Sequence, residues 1–135
     1  MRVRKSIECW LYGTKPKKFL LLHIQNPKYN FWQPITGGIE AGETGIQAAI
    51  REIKEETMLN VQPEFFTFMG TQYVSIDESL AIDKQLFFCR ANDKDTSVQI
   101  SDEHAGYKWV NPKEAAGWLT WPNNKESLVK ALTLI

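Results

Sequence analysis

The sequence is poor in several of the features that announce a function class. It has only two cysteines, Cys9 and Cys89, and no CxxC or similar metal-ligand spacing. Both sit in apolar, strand-like runs, so buried reduced thiols are expected rather than a disulfide scaffold. No charge of one sign dominates. Lys+Arg and Asp+Glu each number 16, so the basic excess of a general nucleic-acid binder is missing. No stretch approaches the roughly 20 apolar residues that a membrane span requires. The basic start MRVRKSIECW has no long apolar run behind it and does not read as a signal peptide. Repeats, low-complexity tracts and linkers are lacking too, and 135 residues suit one domain, 1–135. The expectation is a cytoplasmic domain with neither nucleic acid nor membrane as partner.

What the sequence does have is alternating strand-like and helix-like patterning. Ser6 to Tyr12 and Phe19 to Ile24 read as strands joined through the turn signal Gly13-Thr14-Lys15-Pro16. Lys15, Lys17 and Lys18 then lie at a hairpin tip. The continuous run FLLLHI suggests a strand covered on both faces. Gln25 to Asn30 is a polar loop, and Phe31 to Thr36 an extended piece interrupted by Pro34. Residues 44–57 read as a helix. Thr44 and Gln47 have capping-box spacing, and Ile46, Ala49, Ile50, Ile53 and Thr57 share one face. Phe65 to Ile76 and Gln85 to Arg90 are strand-like, with Asp77 to Asp83 as the loop between them. Tyr107 to Val110 is a short strand. Pro112 opens a short helix through KEAAGWL, and Glu126 to Leu134 forms the last, packed through Leu128, Ala131, Leu132 and Ile135. Strands outnumber helices, which suggests an α+β fold: a mixed sheet with helices on its faces.

The chemistry concentrates in residues 37–59, GGIEAGETGIQAAIREIKEETML. Five glutamates stand there against Arg51 and Lys54, in a chain that is neutral overall. Like charges three and four apart on a helix repel by a few tenths of a kcal/mol per pair. Glu52, Glu55 and Glu56 have that spacing, on a face away from the apolar stripe. A hard divalent cation would turn this repulsion into attraction, since Mg²⁺ takes carboxylates, waters and phosphate oxygens as ligands. Thr36, Gly37 and Gly38 lie just upstream, and the glycines permit close backbone approach to the glutamate face. Arg51 can hold a carboxylate in two-point contact and is expected to orient a glutamate such as Glu43. The competing reading is a solvated acidic helix face.

The pattern of Gly37, Glu43 and Arg51-Glu52-Ile53-Lys54-Glu55-Glu56 resembles the Nudix signature GX5EX7REUXEEXGU. One fixed position departs: Met58 stands where the signature has glycine. A left-handed backbone would be unfavourable for Met58, so the helix is expected to exit otherwise, with Asn60 as one means. The resemblance implies an α/β/α sandwich with the glutamate-bearing helix in its middle. It implies a hydrolase that cleaves phosphoanhydride bonds by water attack with Mg²⁺, or Mn²⁺ as substitute. By position, Glu52, Glu55 and Glu56 would bind metal, with a carbonyl near Thr36 or Gly37. Glu55, Arg51 and Glu43 form the candidate catalytic set, Glu55 as base and Glu103 as its rival.

Within the family, FWQPITGGIEAGET and Glu103-His104-Ala105-Gly106-Tyr107-Lys108-Trp109 resemble the branch acting on dihydroneopterin triphosphate. That resemblance adds Glu103 to the metal set. Where that branch has basic residues after the second strand, this chain has His23-Ile24-Gln25. The expected substrate is a small nucleoside or pterin triphosphate. The E-H-x-x-Y-x-W element is also similar to the dinucleoside polyphosphate hydrolase branch, and a non-catalytic binding module of the same fold is a further alternative. Candidate substrate contacts are Thr36, Gly37, Gly38, Trp32 and Arg4. Trp32 and Phe31 could stack on a flat ring or serve as core; Arg2, Arg4 and Lys5 could reach a phosphate tail or form a solvated terminus. Tyr73, Phe87 and Phe88 read as core, His104 as a hydrogen-bonding or proton-donating residue, and Trp121 as helix packing or pocket rim. The oligomeric state stays open, a homodimer being one option.

Overall fold

The computed structural model describes residues 1–14, 16–91 and 98–135. Lys15, the first of the expected hairpin-tip lysines, lies outside the described residues. Among the described residues, seven strands and two helices follow in the order β1 (Arg2–Tyr12), β2 (Phe19–Gln25), β3 (Asn30–Gln33), β4 (Ile35–Gly38), α1 (Gly45–Thr57), β5 (Phe66–Ser75), β6 (Leu80–Arg90), β7 (Gly106–Val110) and α2 (Pro122–Leu132). Short 3₁₀ turns occupy Pro63–Phe65 and Ala115–Trp118.

The strands make one mixed sheet in the order β3-β2-β1-β6-β5. β1 and β6 run parallel, in register from Arg2 opposite Leu80 to Tyr12 opposite Arg90. The other edge of β1 is shared. Ser6 to Cys9 pair with β4, whereas Tyr12 pairs with Phe19 of β2. This fork carries Thr36, Gly37 and Gly38 alongside Glu8, Ile7 and Ser6.

Period-2 alternation then divides the core between two layers. Ile7, Cys9 and Leu11 of β1, Leu20 and Leu22 of β2, and Phe87 and Cys89 of β6 pack with Ala48, Ala49 and Ile53 of α1. Trp10 and Tyr12, Phe19 and Leu21, and Phe88 face the other way, towards Leu128 and Ala131 of α2. The run FLLL is buried throughout because both of its faces are covered, as its lack of alternation implies. Both cysteines are free and buried, and burial pushes the Cys9 thiol up, which keeps it protonated. Among the described residues no helix is long and apolar enough to cross a membrane.

Several boundaries differ from the sequence-based expectation, each for a tertiary reason. The β1 ladder extends back to Arg2, so Arg2, Arg4 and Lys5 belong to a strand, and they are solvent-exposed on it. β6 begins at Leu80, and the loop before it shrinks to a turn in which the Asp77 carboxylate accepts from the Ser79 and Leu80 amides. The charges of Asp83 and Lys84 had hidden this strand start. The Phe31–Thr36 piece splits at Pro34 into β3 and β4, which pair with different strands. The KEAAGWL segment reduces to a 3₁₀ turn. α2 starts at Pro122, four residues before Glu126, with proline at its first position. Its packed face includes Asn124 and Ser127, which an apolar stripe cannot reveal, and Ile135 is exposed. Phe87 and Phe88 are core as expected, but Tyr73 is 61% exposed on the edge strand β5.

α1 begins as its capping box dictates: the Gln47 amide donates to Thr44 Oγ1 and the Thr44 amide to Gln47 Oε1. Its exit corrects the expectation for Met58. That residue itself takes the left-handed conformation, at φ 64°, and its amide donates to the Lys54 carbonyl. Thr57 holds the exit on both sides: its hydroxyl donates to the Ile53 carbonyl and accepts from the Leu59 amide. A left-handed backbone costs a non-glycine residue about 1–2 kcal/mol, and glycine's extra unfolded-state freedom returns about 0.5–1 kcal/mol of that. Met58→Gly is therefore expected to raise stability by up to about 1 kcal/mol, read as a higher denaturant midpoint. A lower midpoint would show that the half-exposed Met58 side chain contributes more than its backbone costs.

Candidate active site

Arg51, in the middle of α1, organises the acidic cluster. Its Nε and Nη2 donate to the two Glu43 oxygens at 2.8 and 2.9 Å, a two-point fork. Nη2 also donates to the Gly38 carbonyl at 2.8 Å, and Nη1 to Glu52 Oε1 at 2.8 Å and Glu55 Oε2 at 3.3 Å. Glu43 is further held by the Glu40 amide, which donates to its Oε1. The fork and that amide hold the Glu43 carboxyl down to about 2 and raise the Arg51 guanidinium further above its already high value. One guanidinium thus ties the glycine strand β4, the loop before α1 and the helix itself into a rigid unit.

Gly37 lies directly against Glu52. A Cβ on Gly37 would fall 2.1 Å from Glu52 Cδ, closer than any non-bonded pair can stand. The bare Cα of Gly37 is therefore what lets the Glu52 carboxylate lie on the β4 backbone.

Glu56 is buried, contrary to the expectation of an exposed glutamate face. Three residues of helix turn a side chain by roughly 300°, so Glu56 lies beside Ile53 and tucks under the segment that follows β6. Ser101 and Gln99, within that segment, donate backbone N–H groups to the Glu56 and Thr57 carbonyls. This brings Glu103 and His104 to the cluster: ligand atoms of Glu56, Glu103 and His104 lie within 4.8 Å of one another. His104 Nε2 stands 3.5 Å from Glu56 Oε1. Glu56 Oε2 and both His104 ring nitrogens find no hydrogen-bond partner among the described residues. Burial pushes the Glu56 carboxyl up, against the pull of His104, and the Glu103 charge adds to the rise. Burial likewise raises Glu52, against its hydrogen bond from Arg51. Glu55 is the open member, its side chain 58% exposed. A buried carboxylate with an unpaired oxygen, set beside further carboxylates, forms a cation-binding arrangement.

A polar cleft of about 200 Å³ opens beside this cluster, lined by Arg4, Ser6, Thr36 and Gly37 and floored by Glu8 and Lys84. Arg4 also stands over Gly38. A neighbouring cavity of about 430 Å³ is walled by Phe31 and Trp121. Four of the five expected substrate contacts are thus together: Thr36, Gly37 and Arg4 line the cleft, and Gly38 accepts from Arg51. Trp32 is not among them. It stacks on His23 with ring centroids 4.4 Å apart and meets Trp118 edge-on, while Phe31 and Trp121 take the cavity side. His23 is therefore stacked, half-buried, under Trp32, and the basic side chains lining the cleft are Arg4 and Lys84. Sequence reading missed Lys84 and Glu8, since strand residues of opposite charge 76 positions apart carry no mutual signal. It gave His104 no place among the cation ligands, although its proximity to Glu103 in sequence was available.

A NUDIX domain model matches residues 2–131. The chain is 31% identical over 132 residues to the dihydroneopterin triphosphate diphosphatase of Escherichia coli K12, covering 89% of this chain and 87% of that protein. A solved structure of an E. coli dihydroneopterin triphosphate pyrophosphohydrolase superposes with a TM-score of 0.78 at 26% identity, covering 97% of this chain and 96% of that one. The asymmetrical bis(5'-nucleosyl)-tetraphosphatase of Sus scrofa is 31% identical over 103 residues, 73% of this chain and 67% of that protein.

Gly37→Ala must displace the Glu52 carboxylate, and small misplacements of reacting groups cost about a hundredfold in rate. A loss of that size in kcat, with little change in the thermal midpoint, is the expected outcome of paired rate and melting measurements. A native rate would show that Glu52 works from elsewhere.

Proposed function

The chain belongs to the Nudix family of hydrolases, and on that premise we propose that it is a divalent-metal-dependent pyrophosphohydrolase of dihydroneopterin triphosphate or a related nucleoside triphosphate. The reading takes residues 1–135 as one such domain in a cytoplasmic setting. The observation that carries it is the Glu56 carboxylate, buried with one oxygen unpaired beside Glu52, Glu103 and His104. An isolated buried carboxylate is costly, and a hard cation such as Mg²⁺, or Mn²⁺ in its place, suits oxygen donors of this kind. Glu52, Glu56 and Glu103 would hold it, with Glu55 at the open rim. When bound, such a cation neutralises phosphate charge and makes water a stronger acid.

The remaining work falls to the chain. Arg51 positions Glu43 and Glu52, and through Gly38 fixes the β4 backbone against them. Arg4 supplies positive charge where the phosphate chain would lie, while the Lys84 charge there is offset by Glu8. Glu55 is exposed and only loosely tied to Arg51, so it is free to take a proton from an attacking water, with Glu103 as the rival base. Water attack breaks one phosphoanhydride bond and releases pyrophosphate from a triphosphate. A second reading is favoured by the similarity to the tetraphosphatase and by the Glu103-His104 to Trp109 element: hydrolysis of a dinucleoside tetraphosphate.

The test is product release in Mg²⁺ from dihydroneopterin triphosphate, dNTPs, NTPs, ADP-ribose and diadenosine tetraphosphate. Fast pyrophosphate release from the pterin or one nucleotide is expected. Release of ATP and AMP from diadenosine tetraphosphate alone would favour the second reading. Glu56→Gln should lower kcat by at least about a hundredfold in a folded protein; near-native turnover would contradict this assignment.

A further inference from the structure

The hydrolytic reading uses oxygen donors only and leaves the His104 imidazole without a role. Both of its ring nitrogens lack a hydrogen-bond partner among the described residues. The side chain is 4% exposed, so bulk solvent does not satisfy them either. Burying polar atoms in that state is costly. Glu56 Oε1 stands beside the ring, but at 3.5 Å from Nε2 it is too distant for an N–H···O bond of ordinary length. Such a bond, even if it tightened, would leave His104 Nδ1 and Glu56 Oε2 unpaired.

The backbone puts the ring there. The His104 amide closes a turn by donating to the Ser101 carbonyl at 3.2 Å, and the next amide, of Ala105, donates to the His23 carbonyl of β2 at 2.9 Å. At the start of the turn, the Ser101 amide donates to the Glu56 carbonyl near the end of α1. One short segment is thus clamped to both α1 and β2. It delivers Glu103 and His104 together to Glu56, with one ligand atom of each within 4.8 Å of the others. Two ligands about 2.1 Å from one ion stand roughly 3.0–3.4 Å apart when adjacent. The 3.5 Å between His104 Nε2 and Glu56 Oε1 is close to that spacing. The chain has two histidines, and the other is engaged elsewhere: His23 Nε2 bonds Asn30 Oδ1 at 2.6 Å, and its ring stacks on Trp32.

We infer that His104 is a direct ligand of the site's cation through Nε2, beside Glu56 and Glu103, and that this nitrogen ranks first-row transition dications above Mg²⁺. The inference rests on the metal-dependent reading above and adds a ligand and an order of preference to it. Mg²⁺ is served by oxygen ligands and gains little from an imidazole. Nitrogen affinity rises along the series from Mn²⁺ to Co²⁺, so the later ion gains more. The carboxylates still accept Mg²⁺, and the effect of the ring is one of rank and not of exclusion.

The test reads the ion and not turnover. Mn²⁺ is added to the full chain prepared with ordinary and with ¹⁵N-labelled histidine, and pulsed EPR compares the nitrogen couplings. A directly bound imidazole is expected to give a ¹⁴N coupling that changes to the ¹⁵N pattern on labelling, persists in His23→Gln and vanishes in His104→Gln. Calorimetric titration with Mg²⁺ and Co²⁺ then gives the ranking. His104→Gln should weaken Co²⁺ by at least about tenfold, the effect that even outer-shell partners of a metal ligand have. Mg²⁺ should lose less, since the glutamine amide offers an oxygen in place of the ring. Mn²⁺ bound without a histidine coupling, or equal losses for Mg²⁺ and Co²⁺, overturns the inference and leaves the metal-dependent reading intact. The wild-type spectra decide the first point whether or not His104→Gln folds. No binding of any of the three ions overturns both. A histidine coupling in a protein that hydrolyses no triphosphate removes the catalytic reading and leaves the ligand in place.

Discussion

The structure depends on one guanidinium. Glu43, Glu52 and Glu55 would repel each other and splay into solvent if left to themselves. Arg51 converts that repulsion into a lattice of short hydrogen bonds that also captures the Gly38 carbonyl. Its planar fork matters more than its charge, since a lysine at this place could not hold two Glu43 oxygens while reaching β4. The glycine at 37 completes the arrangement by letting Glu52 rest on the strand itself. Only the strand carrying these glycines, bonded to β1, can present them to α1, and that is why the fork in the sheet positions the site.

The two-layer core serves the same end. α1 is packed through Ala49 and Ile53 on one side of β1, so its glutamates are presented at a fixed height above β4. On the opposite side, Asn124 and Ser127 tie α2 to the buried Glu8 of β1, which also pairs with Lys84 of β6. A buried ion pair contributes little net stability compared with an apolar substitute. Here it links β1 to β6 and holds Glu8 where Asn124 and Ser127 of α2 can donate to it. The acidic cluster is thus carried by α1, and the polar cleft beside it is lined from β1, β4 and β6.

What was legible in the sequence was local. The capping box of Thr44 and Gln47, the helical spacing of the glutamates and the fork of Arg51 on Glu43 all follow from residues within a dozen positions of one another. The double-sided burial of FLLL is also local, since it needs only the lack of alternation. What stayed hidden depends on distant pairing. The start of β6 at Leu80 is created by β1, 78 positions away, and the polar face of α2 makes sense only against Glu8. Trp32 and Phe31 are neighbours in sequence, yet opposite pointing along β3 gives one to His23 and the other to the cavity. Met58 was misjudged because a local steric penalty was given more weight than the hydrogen bonds of Lys54 and Thr57 that hold the helix exit.

The central claim is that Arg51 builds the hydrolytic site by geometry and not by charge alone. The most direct measurement is the rate of pyrophosphate release from dihydroneopterin triphosphate by Arg51→Lys at saturating Mg²⁺, with the fold checked by circular dichroism. A folded variant slowed by about a hundredfold or more is the predicted result, as expected when reacting groups lose their fixed positions. A folded variant with native turnover would contradict the account.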